Sequence, residues 1–246
     1  MFSLHLSHEI GIGALCLAET NLNWHHYQHT AALRRCLHRN WSASKFQTSV
    51  PEEQFIGDYQ PGGTTTIVTD CWTSRVVKTG VDPFGLGRWP YITLKGKSDI
   101  NICIITAYRV CNDKNTGPKP AYQQLRRQLA SLFRHMNKTI VVNPFKQFVL
   151  DLHSWIASIQ EDGTHIILCL DNNEELLPNE GQLINLPATT TPVLHKTHDG
   201  HLETLVRSVG LVDIFRHHHP SSTYPATYNR GRKRIDLILV SASLFC

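Results

Sequence analysis

Apolar positions fall into short runs separated by polar stretches rich in Gly and Pro. Residues 10–18 form one such run, read as a buried strand ending at Glu19. From Trp24 to His38 the spacing becomes helical, with Tyr27, Ala31 and Leu37 recurring along one stripe. Residues 42–63 are polar and close on the turn signal Pro61-Gly62-Gly63. Thr64–Cys71, rich in Thr, Ile and Val, predicts a strand, whereas 81–89, with its Pro and closely spaced Gly, predicts a connection. Residues 91–94 and 101–108 read as two strands, and the Ile-Cys-Ile-Ile run in the second implies burial on both faces. A polar loop over 111–120 leads into a helix started by Pro120, with Leu125, Leu129 and Leu132 on one stripe. A second helix follows Pro144, carries Phe148, Leu152 and Ile156, and stops at Gly163. His165–Leu170 is again a short apolar strand, ending at Asp171. After a loop over 176–200 come a helix over 202–209 and short extended pieces at 211–215, 227–228 and 234–240. With no repeat and no linker, one mixed α/β domain over 1–246 is the economical reading.

Composition narrows the class without choosing a function. With 41% hydrophobic and 18% charged residues, the chain can bury a core, which excludes disordered and low-complexity classes. A net charge of +4 permits a phosphate-bearing partner but does not demand one. Seven Cys without a Cys-x-x-Cys pair argue against a zinc ribbon or redox dithiol. Cys16, Cys103 and Cys169 lie inside apolar runs, which suggests reduced, buried thiols and an intracellular protein, nuclear or cytoplasmic. No secretory signal and no membrane span are expected, and the chain is expected to be monomeric.

The chemistry concentrates at strand ends. Glu19 and Asp171 end apolar strands and Asp236 lies within one, positions where open α/β sheets place their ligands. Converging carboxylates there would bind a hard divalent cation through oxygen. The neighbours sharpen this picture: Leu-Ala-Glu19-Thr-Asn, Ile-Thr-Ala-Tyr108-Arg, Leu-Cys-Leu-Asp171-Asn-Asn173-Glu, and Tyr-Asn-Arg-Gly-Arg-Lys-Arg-Ile-Asp236. In this order and spacing the chain resembles the endonuclease/exonuclease/phosphatase superfamily, the fold of DNase I-like nucleases, and within it the retrotransposon-associated members. The resemblance covers residues 10 to 244. It implies a four-layer α/β/β/α sandwich of two packed sheets, in which the runs 12–17, 102–107, 166–170 and 235–240 should be neighbouring inner strands.

The resemblance also implies roles. Glu19 would hold Mg²⁺ or Mn²⁺, and Asp171 would orient or deprotonate the attacking water. Asn173 would hold a phosphate oxygen, Tyr108 would contact the phosphate, and Asp236 would orient a catalytic histidine. The implied activity is divalent-metal-dependent phosphodiester hydrolysis on nucleic acid, DNA foremost, by a domain of mobile-element origin. The alternatives are a catalytically dead remnant or binding module of the same fold, or a small-substrate phosphatase or phosphodiesterase.

The sequence departs from the family pattern in three places. Only 18 residues precede Glu19 and none is the asparagine of the family's first strand. The chain ends ten residues after Asp236 without the family's Ser-Asp-His, so both ends are expected to be clipped. Leu170 and Asn172 stand where many members have Gly and Phe. Among other candidates, the basic run Arg230, Arg232, Lys233 and Arg234 beside Asp236 is weighed evenly between a solvated face and a phosphate-backbone contact. His217-His218-His219 reads as a polar turn, and His25 with His29 as an exposed helix face, rather than as metal ligands. Trp24 and Trp41 read as packing residues, not base-stacking platforms.

Overall fold

The computed structural model describes residues 11–51, 62–111, 121–136, 143–174, 176, 201–220, 225–228 and 233–245. Among these, β1 (Ala14–Leu17), β2 (Ser44–Ser49) and β3 (Thr64–Thr69) form a small antiparallel sheet in the order β1-β3-β2. The larger sheet runs β4-β5-β6-β7-β9-β8, from β4 (Val76–Val81), β5 (Pro90–Lys95), β6 (Asn101–Tyr108), β7 (His165–Asp171), β8 (Leu211–Asp213) and β9 (Asp236–Ser241). Within it β6 and β7 are parallel and every other pairing is antiparallel. The helices are α1 (Tyr27–Asn40), α2 (Ala121–His135), α3 (Pro144–Gln160), α4 (His201–Ser208) and α5 (Ile214–His218).

Side-chain alternation along the strands makes the layers. On β6, Cys103, Ile105 and Ala107 face outward and pack with Phe148, Leu152 and Ile156 of α3. Ile104 faces inward and meets Val68 of β3 and Ile92 of β5. Ile166, Leu168 and Leu170 of β7, and Leu237 and Leu239 of β9, repeat the outward set. The far side of the small sheet is closed by α1, with Leu37 and Trp41 against Leu15 and Ile67. The two sheets also meet through a buried 2.7 Å hydrogen bond between the Thr66 and Thr106 hydroxyls. The result is the four-layer sandwich that the resemblance implied, and Trp24 and Trp41 are buried in it.

Three expectations change. The runs within 102–107, 166–170 and 235–240 are neighbours as β6, β7 and β9, but Ala14–Leu17 lies in the other sheet, at the edge beside β3. The polar stretch 42–63 contains β2, and β4 precedes the expected connection; both strands are partly exposed, β2 carrying Ser, Lys, Gln and Thr, and β4 Lys78 and Thr79 beside exposed Val77 and Val81. Residues 211–215 divide into β8 and the start of α5, because the Asp213 carboxylate accepts the Phe215 and Arg216 amides and caps a helix. The expected loops over 112–120 and 177–200 lie outside the described residues.

The small sheet lies over β4, β5 and β6. Beyond β1 the inner faces of β7 and β9 open into a cleft of about 1030 Å³. Its walls include Cys16, Ile167, Cys169 and Ile238, and Ile238 is 46% exposed. Cys103 is buried as expected, but Cys16 and Cys169 are only half-buried, facing the cleft from the two sheets.

Candidate active site

Register places the site. Tyr108 pairs with Asp171 across β6 and β7, and Asp171 pairs with Asp236 across β7 and β9. The three residues therefore form one row, and alternation puts their side chains on the inner face, opposite the outward Leu170 and Leu237. Glu19 meets this row from the other sheet, just past the end of β1. Glu19, Asp171 and Asp236 all line the cleft. Tyr108 arrives from behind, its ring buried among Leu86, Val110 and Leu125 and its hydroxyl under the influence of the Glu19 carboxylate.

The seat of Glu19 is a sharp turn. Glu19 and Asn21 both adopt left-handed backbone, at φ 48° and 54°, which side-chain-bearing residues rarely do. The turn is held by Thr20 N–H to the Gly63 carbonyl at 3.0 Å and Asn21 N–H to the Gly62 carbonyl at 2.8 Å. Gly62 N–H returns a bond to Asn21 Oδ1 at 3.1 Å, and Trp24 Nε1 donates to Thr20 Oγ1 at 3.0 Å. Gly63 must lack a side chain here: its φ is 77°, and a Cβ would lie 2.8 Å from Thr20 Oγ1. Thr20, Asn21 and the Gly pair are thus positioning residues that the sequence reading left without a role. The available signal was that a Gly-Gly turn and a Glu-Thr-Asn triplet both border strands.

The loop after β7 is clamped by Arg109. Its guanidinium, 3% exposed, donates to Glu174 at 2.7 Å and to Asn172 Oδ1 at 3.3 Å, and lies over the Phe145 ring. Its backbone N–H donates to the Asp171 carbonyl at 2.9 Å. Asn172, the departure from the family pattern, is buried and donates to the Glu174 carbonyl at 2.7 Å. Asn173 sits at φ 54°, with its N–H on Asp171 Oδ1 at 3.3 Å. On the other side, Thr227 Oγ1 accepts the Ile235 and Asp236 amides at 3.0 Å each, fixing the start of β9.

These contacts leave negative charge uncompensated. Burial first, then the Asp236 and Glu19 charges, push the Asp171 carboxyl up to about 7, against a lowering hydrogen bond from the Asn173 backbone. Burial first, then the charges of Glu19, Cys111 and Asp171, hold the Tyr108 hydroxyl protonated well above its ordinary range. Directly opposed carboxylates on adjacent strands are destabilising without a countercharge. That frustration, in an all-oxygen donor set, fits a hard divalent cation. Among the described residues no three His, Cys, Asp or Glu form a metal cluster. Mg²⁺ takes one or two carboxylates and keeps several waters, so the two observations agree.

The basic run does not act as one group. Arg234 is 9% exposed, and its guanidinium makes a two-point ion pair with Asp213, at 2.5 and 2.9 Å, over the Phe215 ring. That pairing ties the segment entering β9 to the start of α5. Lys233 is exposed, and Arg230 and Arg232 lie outside the described residues. His218 and His219 line the cleft from α5 and its end. His25 and His29 bond the Pro51 and Asn23 carbonyls.

No family model matches the chain, and no curated protein matches it. Solved structures do match. The Xenopus laevis APE2 catalytic domain aligns over 99% of this chain and 78% of its own, at 13% identity and TM-score 0.58. An AP endonuclease from Archaeoglobus fulgidus aligns over 97% and 80%, at 14% identity and TM-score 0.56. The human Nocturnin catalytic domain aligns over 97% and 73%, at 15% identity and TM-score 0.55. The chain has the DNase I-like endonuclease/exonuclease/phosphatase fold.

Proposed function

We propose that this protein is a divalent-cation-dependent phosphodiester hydrolase that cuts nucleic acid, DNA foremost, and that it derives from a mobile element. The observation that carries this reading is the single row Tyr108–Asp171–Asp236 facing Glu19, with Asp171 held near neutrality. One of the similar structures is an AP endonuclease by name, which favours a nucleic-acid substrate. The mobile-element origin rests on the four ordered motifs.

Asp171, pushed up to about 7, is matched to taking a proton from water at neutral pH. Tyr108 stays a neutral hydroxyl donor and Asn173 offers a neutral amide, both suited to an anionic phosphate. Glu19, with Asp171 or Asp236, would hold Mg²⁺ or Mn²⁺, which supplies charge stabilisation to the phosphate and leaving oxygen. Lys233, with Arg230 and Arg232, would meet the backbone phosphates.

The test is nicking of supercoiled plasmid with Mg²⁺ by the wild-type chain and by Glu19→Ala, with bis(p-nitrophenyl) phosphate as a parallel substrate. Plasmid nicking by wild type alone is expected. Equal nicking by both proteins, or none by either, removes the reading; hydrolysis of the small diester alone moves the substrate to small phosphoesters.

A second outcome concerns pH. Asp236→Asn removes a charge that helps raise Asp171. The acid limb of kcat/KM should then move to lower pH. An unmoved limb would mean that Asp171 is not the group that titrates.

A further inference from the structure

Cys111 belongs to none of the motifs, yet it touches the site. It lies three residues past the end of β6, is exposed to solvent, and its thiol donates to Asn173 Oδ1 at 2.8 Å. The other end of that carboxamide is also held: Asn173 Nδ2 donates to the Arg109 carbonyl at 2.7 Å. A primary amide is pseudo-symmetric, and its two ends differ only in which accepts and which donates. Here a donor faces the oxygen and an acceptor faces the nitrogen, both from the segment Arg109–Cys111. Flipping the amide would break both bonds and set oxygen against oxygen at Arg109. The Arg109 carbonyl takes one of the two Nδ2 hydrogens, so one remains for a ligand.

We propose that Cys111 is a positioning residue that locks the Asn173 carboxamide with its oxygen turned to the thiol, so that the remaining N–H is the group presented to the substrate phosphate. This rests on the phosphodiesterase reading above. Without the S–H donor only the Arg109 carbonyl opposes the flip, and the flipped amide becomes more populated. Its oxygen then meets the anionic phosphate, and binding and turnover both fall.

Kinetics of Cys111→Ala and Cys111→Ser, each alone and combined with Asn173→Ala, test this. Cys111→Ala should lower kcat/KM about tenfold, the loss of roughly one hydrogen bond's orientation. Cys111→Ser keeps a donor and should stay within about twofold of wild type. In the Asn173→Ala background the Cys111→Ala effect should vanish, because no amide remains to orient. A merely structural cysteine would give the same loss in both backgrounds and no rescue by Ser; either result overturns the proposal, as does wild-type kinetics for Cys111→Ala. If the wild-type chain itself hydrolyses nothing, the function reading fails separately. The lock is then read from the Asn173 side-chain amide protons by NMR. Faster exchange in Cys111→Ala than in Cys111→Ser supports the proposal, and identical exchange in both removes it.

Discussion

Asp171→Asn is expected to unfold at a higher temperature than wild type at pH 8, while losing activity by roughly 10² to 10⁴. Both effects come from one carboxyl. Asp171 titrates near 7 in the fold against 3.8 as a free side chain. A raised carboxyl contributes stability while protonated, fully present below about pH 4, and loses it as pH rises through about 7. At pH 8 the ionised group is a net cost. One pKa unit is about 1.4 kcal/mol, so the gap bounds that cost at about 4 kcal/mol, and solvent at the cleft reduces it. Asn is nearly the same shape and cannot ionise. Its advantage should therefore appear between pH 4 and 7, level off above, and shrink when Mg²⁺ supplies the countercharge. Melting curves in EDTA at pH 4, 6 and 8 read this directly. An equal gain at pH 4 and 8, or a loss at pH 8, would show that Asp171 carries no such burden. Activity falls for the opposite reason, because the group that costs stability is the one proposed to accept the proton.

What the sequence made legible follows from where information is local. Glu19 and Asp171 are readable because each breaks an apolar run at a strand end, and Asp236 because it follows the basic stretch in Arg-Ile-Asp236. The sheet that holds β1 was not readable, since its partner β3 lies some 50 residues away and strand pairing leaves no mark on the strand itself. β2 is not legible for a different reason: a partly exposed strand carries Ser, Lys, Gln and Thr, and so imitates a loop, while in β4 the run Lys78-Thr79-Gly80 interrupts the Val positions. Arg234 misled because a run of basic residues looks uniformly solvated. One member is buried only because Asp213, 21 residues earlier, presents both carboxylate oxygens to it. The Arg109 clamp was in plain view as letters, but its partners Asn172 and Glu174 sit across a parallel strand crossover that no local pattern encodes.

Arg88→Ala should cost about 3–5 kcal/mol of folding stability, more than any surface change near the cleft. Arg88 is 3% exposed. Its Nε and Nη2 hold the two oxygens of Asp82 at 2.5 and 3.1 Å, and Nη1 holds Asp151 of α3 at 2.7 Å. One guanidinium therefore bridges two buried acids and ties the β4–β5 connection to α3. Its plane also lies over Trp89, 4.6 Å from the ring centroid. Truncation leaves two carboxylates without a cation in the interior, and the remaining donors, Phe84 N–H to Asp82 and Gln147 to Asp151, cannot replace a charge. The loss should therefore be partly recovered by adding Asp151→Asn, which removes one stranded charge, whereas Asp151→Asn alone should destabilise. The same residue reaches the site, because the Arg88 carbonyl accepts the Tyr108 amide at 3.0 Å. Urea unfolding of the wild type, both single variants and the double variant closes the cycle. A loss under 1 kcal/mol for Arg88→Ala, or strictly additive losses in the double variant, would mean that solvent already screens these acids and that the connection above Tyr108 is held by packing instead.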